Sequence, residues 1–540
     1  MKAVIIGGVA GGATTATRLR RLNEKAEIII LERGYHISFA NCGLPYYIGD
    51  VIKQKEELLL QTPQSFKERF NIEVRIRQEA IQINRDNKTV QVKNLETGEV
   101  YEESYDKLVL SPGAEPTNPF KKIIDSRIKT LRTVEDAIAI KQYIEENKPQ
   151  NVTIIGGGYI GVEMAENLSK YSDMQVNIIE QSSHVIAPLD EDMAKFVHQK
   201  LSKNHIQLLL NTAVKSIQPK EKIVLELDRQ LYNTDFVILC IGVRPETKLA
   251  TSCNLKVNAK GSIIVNEYMQ TEDEDIYALG DAVQVTNFVT KKPAYIPLAG
   301  PANKQARVVA NHICKLPARY EGTVGSSILK IFDNALGMTG INEATCIANE
   351  LEYKTMIISP YSHATYYPNA KQMTIKAIYE PETGKVLGAQ VWGKEGVDKI
   401  TDILATAIRM NMTAHDLSEL ELCYAPPFSS AKSPINLLGN AIENEIDGLV
   451  ETITWEEVEK QEQPYILDVR TKAEYAHSHL ENAVFIPLDE LRQRLNELNK
   501  TKTIFVHCHT GLRSYIACRI LSQNGFRCKN IMGGYYFYFV

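Results

Sequence analysis

The stretch "KAVIIGGVAGGATTATRLRRLN", residues 2–23, decides the fold of the N-terminal part of the chain. It reads as an apolar strand, a glycine-rich turn and a helix, and the next strand, "AEIIILE", ends on Glu32. Glu32 follows Gly12, the last glycine of the turn, by twenty residues. In such a βαβ unit a pyrophosphate lies on the helix N-terminus and the acid binds a ribose. The stretch therefore predicts a dinucleotide-binding domain.

A second copy of this pattern begins at Asn151. The segment "NVTIIGGGYIGVEMAENLSK" gives G-x-G-x-x-G, and the strand "QVNIIE" ends on Glu180, nineteen residues after Gly161. One glycine motif is weak evidence, whereas two complete units, each with a strand, a helix and a terminal acid, predict two dinucleotide sites.

Two further segments echo each other, "YDKLVLSPGAEP" at 105–116 and "TDFVILCIGVRP" at 234–245. Each is an apolar strand that runs into a glycine turn. Later, "TEDEDIYALGDAV" at 271–283 carries Asp281 directly after Gly280, where it can meet a ribityl or phosphate oxygen. We therefore expect two similar dinucleotide-binding domains.

Composition excludes several classes of function. The formal net charge of −5 gives no reason to expect nucleic-acid binding, and no apolar run is long enough for a membrane span. The nine cysteines are odd in number and contain no C-x-x-C, which favours reduced thiols in the cytoplasm over a disulfide framework. We expect no metal site, since "HCH" at 507–509 is too closely spaced for tetrahedral zinc.

The pattern changes in the C-terminal half. From about residue 325 the sequence predicts strands and one helix, and the polar stretch "NAIENEIDGLVET" at 440–452 indicates a linker. The last part, from Ile453, has its own α/β pattern in "YILDVR", "AVFIPL", "TIFVHC" and the helix "RSYIACRILSQNGF".

These motifs resemble two known families. Residues 1 to about 440 resemble the flavin- and pyridine-nucleotide-dependent disulfide reductases with a single redox cysteine, and within them the coenzyme A-disulfide reductases. The motifs that carry the resemblance are "GGVAGGATTATRLRRL", "SFANCGLPYYIG", "YDKLVLSPGA", "GGGYIGVE", "YALGDA", "HATYYPN" and "YAPPFSSAKSPIN". Residues 453–540 resemble a rhodanese domain through "LDVR", "EYAHSHLENAVFIPL" and "CHTGLRS". The combination resembles fused coenzyme A-disulfide reductase–rhodanese proteins, also described as NADH-dependent persulfide reductases.

The C-terminal part departs from the rhodanese pattern at two places. Ser478 stands where the pattern has glycine, and the chain ends on "GGYYFYFV", without the usual final helix.

The resemblance implies an α/β fold with two Rossmann-like domains for FAD and NAD(P)H, an α+β dimerisation domain and a C-terminal α/β rhodanese domain. The expected boundaries are 1–115 with 245–325 for FAD, 116–244 for NAD(P)H, 326–440 for dimerisation, 441–452 for the linker and 453–540 for rhodanese.

Cys42, in "ISFANCGLPYYIG", is the expected redox centre. A lone cysteine is more often a buried small hydrophobic residue, but this one lies in the family motif between two nucleotide units. If Cys42 lies at a helix start beside the flavin, we expect its pKa to be low, because the thiolate is the reactive form. With no partner cysteine nearby, the oxidised enzyme must hold a mixed disulfide or a sulfenic acid. The resemblance implies a mixed disulfide with coenzyme A.

The resemblance also implies binding residues. For FAD they are Gly7, Gly8, Val9, Ala10, Gly11, Gly12, Glu32, Arg33, Ser111, Gly113, Arg132, Gly280, Asp281, Pro297 and Ala299. For NAD(P)H they are Gly156, Gly158, Tyr159, Ile160, Gly161, Glu163, Glu180 and Gly242. For coenzyme A they are Thr14, Arg18, Arg21, Ser38, Asn41, Asn303 and Lys432. Because a carboxylate repels a 2′-phosphate, Glu180 predicts a preference for NADH.

Two tyrosines are expected to provide protons. In the family, tyrosines matching Tyr366 and Tyr424 come from the other subunit and lie near the redox cysteine, where a phenol can protonate a departing thiolate. The resemblance therefore implies a homodimer acting on a small-molecule substrate: coenzyme A disulfide, coenzyme A persulfide or polysulfide.

In the C-terminal domain, Cys508 is expected at the start of a six-residue loop, surrounded by Arg513 and backbone N–H groups that stabilise a thiolate or persulfide. An inactive domain that only docks a sulfur-carrier protein is the alternative.

For the whole chain, the alternative is an NADH oxidase or peroxidase that cycles Cys42 through sulfenic acid. The peroxidases carry a histidine in the first glycine loop, where this chain has Ala10.

Overall fold

The computed structural model describes residues 1–539 and divides into two compact units. The first unit comprises residues 1–187 and 200–325, and the second comprises residues 188–199 and the chain from residue 326 onward. Among the described residues, no helix combines the length and the apolar character needed to cross a membrane.

The first unit contains two five-stranded parallel sheets. One has the order Ile276–Ala278, Lys107–Leu110, Lys2–Ile6, Glu27–Glu32 and Glu73–Ile76. The other has the order Gln207–Leu209, Gln175–Ile179, Asn151–Ile155, Phe236–Leu239 and Ile128–Thr130. Their central strands are continuously apolar because both faces are buried, as in Ile28, Ile29 and Ile30. These are the two sheets that the glycine motifs predict.

Shorter antiparallel elements complete the sheets of this unit. Two three-stranded sheets are formed by Gln78–Asn84, Thr89–Asn94 and Val100–Ser104, and by Val214–Pro219, Ile223–Leu227 and Leu231–Thr234. Two pairs are formed by Ala114–Pro116 with Val243–Pro245, and by Val285–Thr286 with Pro293–Ala294. The first of these pairs joins the ends of the two segments that echo each other in sequence.

The helices of the first unit lie between its strands in the sequence or after the last of them. They are Ala10–Leu22, Leu44–Ile48, Pro63–Phe70, Val134–Asn147, Tyr159–Leu168, Lys248–Ser252 and Ala299–Ile313, with 3₁₀ turns at Asn41–Gly43, Lys55–Leu58 and Gly280–Ala282. The helix Ala10–Leu22 buries Ala13, Ala16 and Leu19, a spacing that places one apolar face against the core.

The second unit contains a five-stranded antiparallel sheet in the order Ser327–Ile331, Asn334–Gly340, Val386–Gly393, Met373–Tyr379 and Lys354–Ile358. Its helices are Glu343–Ala348, Val397–Arg409, Ala414–Glu419 and Pro434–Ile446.

Residues 188–199, which the sequence analysis placed in the NAD(P)H-binding domain, belong to the second unit. They contain most of the helix Glu191–Lys203. The reason is a buried charge network: the fully buried ammonium of Lys376 lies 3.1 Å from Asp190 and 2.8 Å from Asp192, and it also contacts Glu343. A buried charge needs such partners, and here two of them come from residues 188–199.

The C-terminal domain has its own core and a five-stranded parallel sheet in the order Thr452–Ile453, Cys528–Ile531, Ile504–His507, Tyr465–Asp468 and Val484–Phe485. Its helices are Trp455–Glu459, Lys472–His477, Leu488–Leu491, Leu512–Gln523 and Gly534–Tyr538, with a 3₁₀ turn at Leu495–Glu497.

Two expectations for this half of the chain are wrong. The predicted linker begins inside the helix Pro434–Ile446, which Ser433 caps and whose Ile435, Leu438 and Ile442 are buried, so its polar residues mark a helix face rather than a loop. The C-terminal segment does form a final helix, Gly534–Tyr538, because Tyr535 and Phe537 bury their rings.

Candidate functional site

The two glycine loops have matching backbone geometry. The first glycine of each is left-handed, with φ of +95° at Gly7 and +105° at Gly156. A Cβ at these positions would lie 2.1 Å from the Ser111 carbonyl oxygen and 2.3 Å from that of Cys240, so only glycine fits. Each loop leads into a helix whose N-terminus has no side-chain cap. A helix N-terminus without a side-chain cap, preceded by a glycine loop, suits a pyrophosphate.

The acid that ends each second strand is held by its own loop. Glu32 accepts a hydrogen bond from the N–H of Gly8 at 2.8 Å, and Glu180 accepts one from Gly157 at 2.7 Å. A further N–H, of Gly34 or Ser182, bonds the second carboxylate oxygen. Both carboxylates are thus fixed at the loop, where a ribose hydroxyl can reach them.

The remaining residues expected at the flavin lie around the same edge of the first sheet. Arg132 and Asp281 form an ion pair at 3.4 Å, and Ser111 and Gly280 follow the strands Lys107–Leu110 and Ile276–Ala278. Pro297 and Ala299 lie at the start of the helix Ala299–Ile313. The loop and the helix start are formed by Val9, Ala10, Gly11 and Gly12. Gly113 lies beside Arg132. Arg33 forms ion pairs with Glu115 and Glu246. This arrangement fits FAD.

The residues expected at the nicotinamide are similarly grouped around the second loop. Tyr159 and Ile160 begin the helix Tyr159–Leu168, and Gly158 and Gly161 lie in the loop and first turn. Gly242 follows the strand Phe236–Leu239, which neighbours Asn151–Ile155. The glycine loop and the start of the helix Tyr159–Leu168 fit a second dinucleotide.

Cys42 lies in the 3₁₀ turn Asn41–Gly43, directly before the helix Leu44–Ile48, and is exposed. Nearby, Ser38 has φ of +46°, a left-handed conformation that is unfavourable for a residue other than glycine. With its amide oriented to match, Asn41 donates to the Arg132 carbonyl at 3.0 Å and accepts from its guanidinium at 3.1 Å. The thiol is therefore presented on a fixed turn beside the flavin residues.

The expectation of a low pKa for Cys42 is wrong. Protein atoms gathered around the sulfur remove water from it, and this desolvation raises the pKa of the thiol. The carboxylates of Glu163 and Asp281 raise the pKa further, and Arg132 opposes them. A turn at the start of a five-residue helix does not offset this cost of placing negative charge near two acids.

Tyr46 is a site residue that the sequence analysis missed. Its hydroxyl donates to Glu163 at 3.2 Å. Burial raises the pKa of Glu163 to about 7, the Tyr46 hydrogen bond opposes the shift, and Glu166 adds to it. A carboxyl group that titrates near neutral pH therefore lies close enough to Cys42 to change the pKa of its thiol. Tyr46 lies in the motif "SFANCGLPYYIG", but nothing in the nearby sequence identifies Glu163 as its hydrogen-bond partner.

The residues expected to bind coenzyme A fall in both units. Thr14 donates to Asn303 at 2.7 Å, Arg18 lies on the same helix, and Arg21 is exposed one turn further on. Ser38 and Asn41 flank the thiol. Lys432 is exposed in the second unit.

The second unit also carries the two expected tyrosines. The hydroxyls of Tyr366 and Tyr424 lie 2.7 Å apart, and this hydrogen bond raises the pKa of Tyr366. The Tyr366 residue is 73% exposed and Tyr424 is 48% exposed. Two exposed phenols that share one hydrogen bond can pass a proton to a third group.

Cys508 follows the strand Ile504–His507 and is fully buried. Its sulfur accepts the N–H of Gly511 at 3.1 Å and the hydroxyl of Ser514 at 3.5 Å. The helix begins at Leu512, so residues 508–511 form the loop and Arg513 lies in the first helical turn, not in the six-residue loop that we expected. Donors that point at the sulfur suit an anion there.

Arg513 is bound by a residue that the sequence analysis did not assign. Its two terminal nitrogens donate to the two carboxylate oxygens of Glu474, both at 2.7 Å. This fork lowers the pKa of Glu474 to about 2. Arg513 also interacts with Cys508, so Glu474 fixes the guanidinium beside the sulfur.

The C-terminal helix supports the Cys508 loop. The backbone N–H groups of Tyr535 and Tyr536 donate to the carbonyl oxygens of Cys508 and His509 at 2.8 and 2.9 Å. Beneath the loop, His507 is fully buried, its Nε2 makes no hydrogen bond among the described residues, and burial lowers its pKa to about 4. The segment that departs from the rhodanese pattern thus holds the loop.

Comparison with known families divides the chain into three parts. Residues 1–306 match the pyridine nucleotide-disulphide oxidoreductases, and residues 326–434 match the dimerisation domain of that family. Residues 452–538 match the rhodanese-like domain.

Individual proteins are similar to most or all of the chain. The coenzyme A disulfide reductase of Staphylococcus aureus is 37% identical over 443 residues, which cover 81% of this chain and 99% of the relative. The structure of reduced Bacillus anthracis CoADR-RHD has a TM-score of 0.96 at 44% identity, covering 99% of this chain and 97% of that one. The structure of an NAD-dependent persulfide reductase from A. fulgidus has a TM-score of 0.94 at 36% identity and covers both chains fully.

Proposed function

Because this chain belongs to the pyridine nucleotide-disulphide oxidoreductase family and carries a rhodanese-like domain, we propose that it reduces coenzyme A disulfide, coenzyme A persulfide or polysulfide through Cys42. The observation that carries the proposal is the exposed, single thiol of Cys42 beside the flavin residues. All nine cysteines are free, and the next one in the chain is Cys240. The second sulfur of the redox pair must then arrive with the substrate.

The cofactors of the family are FAD and NAD(P)H. When bound, FAD supplies the transfer of an electron pair from the nicotinamide to sulfur. The first glycine loop, Glu32 and the Arg132–Asp281 pair would hold FAD, and the second loop with Glu180 would hold the dinucleotide substrate. The carboxylate of Glu180 favours the free 2′-hydroxyl of NADH over the 2′-phosphate of NADPH.

Cys42 performs the sulfur chemistry. Its thiolate attacks one sulfur of coenzyme A disulfide, forms a mixed disulfide and expels one coenzyme A thiolate. An electron pair and a proton then break the mixed disulfide, release the second coenzyme A thiol and restore the Cys42 thiolate. The sum is one NADH and one proton consumed, and two thiols formed, for each disulfide.

Tyr366 and Tyr424 supply the proton to the leaving thiolate. They lie in the unit that contains the dimerisation domain, 2.7 Å apart and exposed, so a second subunit can present them to Cys42. We therefore propose a homodimer in which each site is completed by the partner.

Cys508 would supply sulfane sulfur. It attacks a sulfane sulfur of a polysulfide or of thiosulfate, expels the shortened polysulfide or sulfite, and becomes a persulfide, which the Gly511 N–H and Arg513 stabilise as an anion. Coenzyme A thiolate removes the terminal sulfur as coenzyme A persulfide, and Cys42 then attacks that persulfide to release hydrosulfide. A sulfur-carrier protein that docks on this domain is the competing role.

Two substitutions test the division of labour. Cys42→Ser should lower NADH-dependent reduction of coenzyme A disulfide by at least about 10³-fold, because the nucleophile is lost. It should leave thiosulfate:cyanide sulfurtransferase activity in place. Cys508→Ala should abolish that transferase activity and preserve reduction of free coenzyme A disulfide. Cys528→Ala, in the same domain as Cys508, is the matched control and should preserve both activities.

The two variants also separate the alternatives. If Cys508→Ala turns over polysulfide at the wild-type rate, the relay is wrong and the domain is a passenger or a docking module. If the wild type consumes oxygen faster than it reduces coenzyme A disulfide, the chain is an oxidase.

A further inference from the structure

The helices Ala10–Leu22 and Ala299–Ile313 pack together with a fixed register. Thr14 donates to Asn303 at 2.7 Å, and Arg18 donates to Asn311 at 3.1 Å. The register therefore aligns one face of the first helix with the stripe of the second that carries residues 303 and 311.

Arg307 lies on that stripe, one turn after Asn303 and one turn before Asn311. The three residues are spaced by four and so share one helix face. Arg307 is exposed, and within the described part of the chain no hydrogen bond or ion pair engages its side chain. Its guanidinium is therefore available beside the contacts that Thr14 and Arg18 make.

The joined face is strongly basic. Arg18 and Arg21 on the first helix and Arg307 on the second contribute three cations, and neither helix contains an acidic residue. Arg20 differs from them, because it is buried and donates to the backbone carbonyls of Phe70 and Asn71, both at 2.8 Å. Cations gathered without carboxylates repel one another, and a bound anion relieves that repulsion.

We propose that Arg307 binds the phosphate groups of the nucleotide end of coenzyme A, together with Arg18 and Arg21. A planar guanidinium matches the oxygens of a phosphate in a bidentate geometry. Coenzyme A carries a pyrophosphate and a 3′-phosphate, whereas its pantetheine arm carries no charge. Arg307 thus selects disulfides that carry the nucleotide, an inference that rests on the proposed function.

Steady-state kinetics with two disulfides tests this assignment. Coenzyme A disulfide carries the phosphates, and pantethine presents the same disulfide without them. In Arg307→Gln, KM for coenzyme A disulfide should rise about tenfold, the effect of one lost charge-assisted contact, while KM for pantethine changes less than about twofold. Arg307→Lys should recover part of the loss. Lys260→Gln, which removes an exposed charge elsewhere in the same unit, should match the wild type.

The outcomes separate the inference from the proposed function. If Arg307→Gln raises KM equally for both disulfides, or for neither, the assignment of Arg307 is overturned while reduction of coenzyme A disulfide stands. If the wild type reduces pantethine but not coenzyme A disulfide, the proposed function itself fails. Flavin absorbance of each variant confirms that the fold is intact, because the loop that binds FAD leads into the helix that carries Arg18.

Discussion

Cys42 and Cys508 lie in opposite surroundings. Cys42 is exposed, and desolvation together with the carboxylates of Glu163 and Asp281 raises the pKa of its thiol. Cys508 is fully buried, yet its sulfur accepts an N–H and a hydroxyl and has Arg513 beside it.

The difference follows from what each sulfur must carry. In the proposed relay, a persulfide on Cys508 is an anion that has to survive until an acceptor arrives, and the fixed donors around the sulfur would stabilise it. In the proposed mechanism the Cys42 sulfur forms a mixed disulfide with the substrate, and a mixed disulfide has no charge to stabilise. The carboxylates of Glu163 and Asp281 do not destabilise that uncharged form. Their charge affects only the free thiol, whose pKa they raise.

Among the residues that surround the two sulfurs, the largest effect should come from removing the Arg513 guanidinium beside Cys508. Arg513→Met removes the cation beside Cys508 and leaves the Glu474 carboxylate without its partner. We expect sulfurtransferase activity to fall about 10²-fold, in line with the loss of a charge-assisted contact. Thiosulfate:cyanide assays measure it. Glu474→Gln keeps the guanidinium and should cost less, and equal losses in the two variants would contradict a direct role for Arg513.

Acid should destabilise the Cys508 domain through His507. Burial lowers the pKa of His507 to about 4 from an ordinary 6.5. The unfolded chain therefore takes up a proton first as the pH falls. The contribution of neutral His507 to the free energy of unfolding is fully present above pH 6.5. It is lost as the pH falls from 6.5 to about 4, by up to about 1.4 kcal/mol per pH unit.

Tryptophan fluorescence can follow that loss. The chain has two tryptophans, and in a Trp392→Phe background the signal comes from Trp455, whose ring lies 5.5 Å from that of His507. Urea unfolding at pH 7, 6 and 5 should show the decline in wild type, and His507→Gln should flatten it. An equal slope in both would assign the acid sensitivity to another group.

A smaller effect is expected when the acid near Cys42 is neutralised. Glu163 has a pKa of about 7 and, once ionised, raises the pKa of the Cys42 thiol. Glu163→Gln should lower the pKa of Cys42 and speed its alkylation by iodoacetamide roughly several-fold above pH 7, with little change below pH 6. Tyr46→Phe should act in the same direction near pH 7, because loss of its hydrogen bond raises the pKa of Glu163 and keeps more of that carboxyl group uncharged. Identical alkylation profiles would rule out the coupling.

The glycine loops and their acids could be predicted from sequence because each depends on local spacing that backbone geometry requires. Gly7 and Gly156 occupy positions where any Cβ would strike a carbonyl oxygen. The pairing of Tyr46 with Glu163 joins residues 117 positions apart, and that of Arg513 with Glu474 spans 39, so no local pattern reveals them.

The errors have a similar origin. The raised pKa of Cys42 comes first from desolvation of the sulfur and then from acids that are distant in sequence, and both arise only in the fold. The polar residues of the supposed linker indicated a loop, but the buried stripe of Ile435, Leu438 and Ile442 makes the first part of that segment a helix. Residues 188–199 join the second unit through a charge that is buried at Lys376.

Intact mass spectrometry under non-reducing conditions tests the central claim, that Cys42 takes its second sulfur from the substrate. After incubation with coenzyme A disulfide, the wild-type chain should gain the mass of one coenzyme A, and NADH should remove it. The adduct should be absent from Cys42→Ser and retained in Cys508→Ala. An unmodified Cys42, or an adduct that persists in Cys42→Ser, while the enzyme still reduces coenzyme A disulfide, would contradict the account.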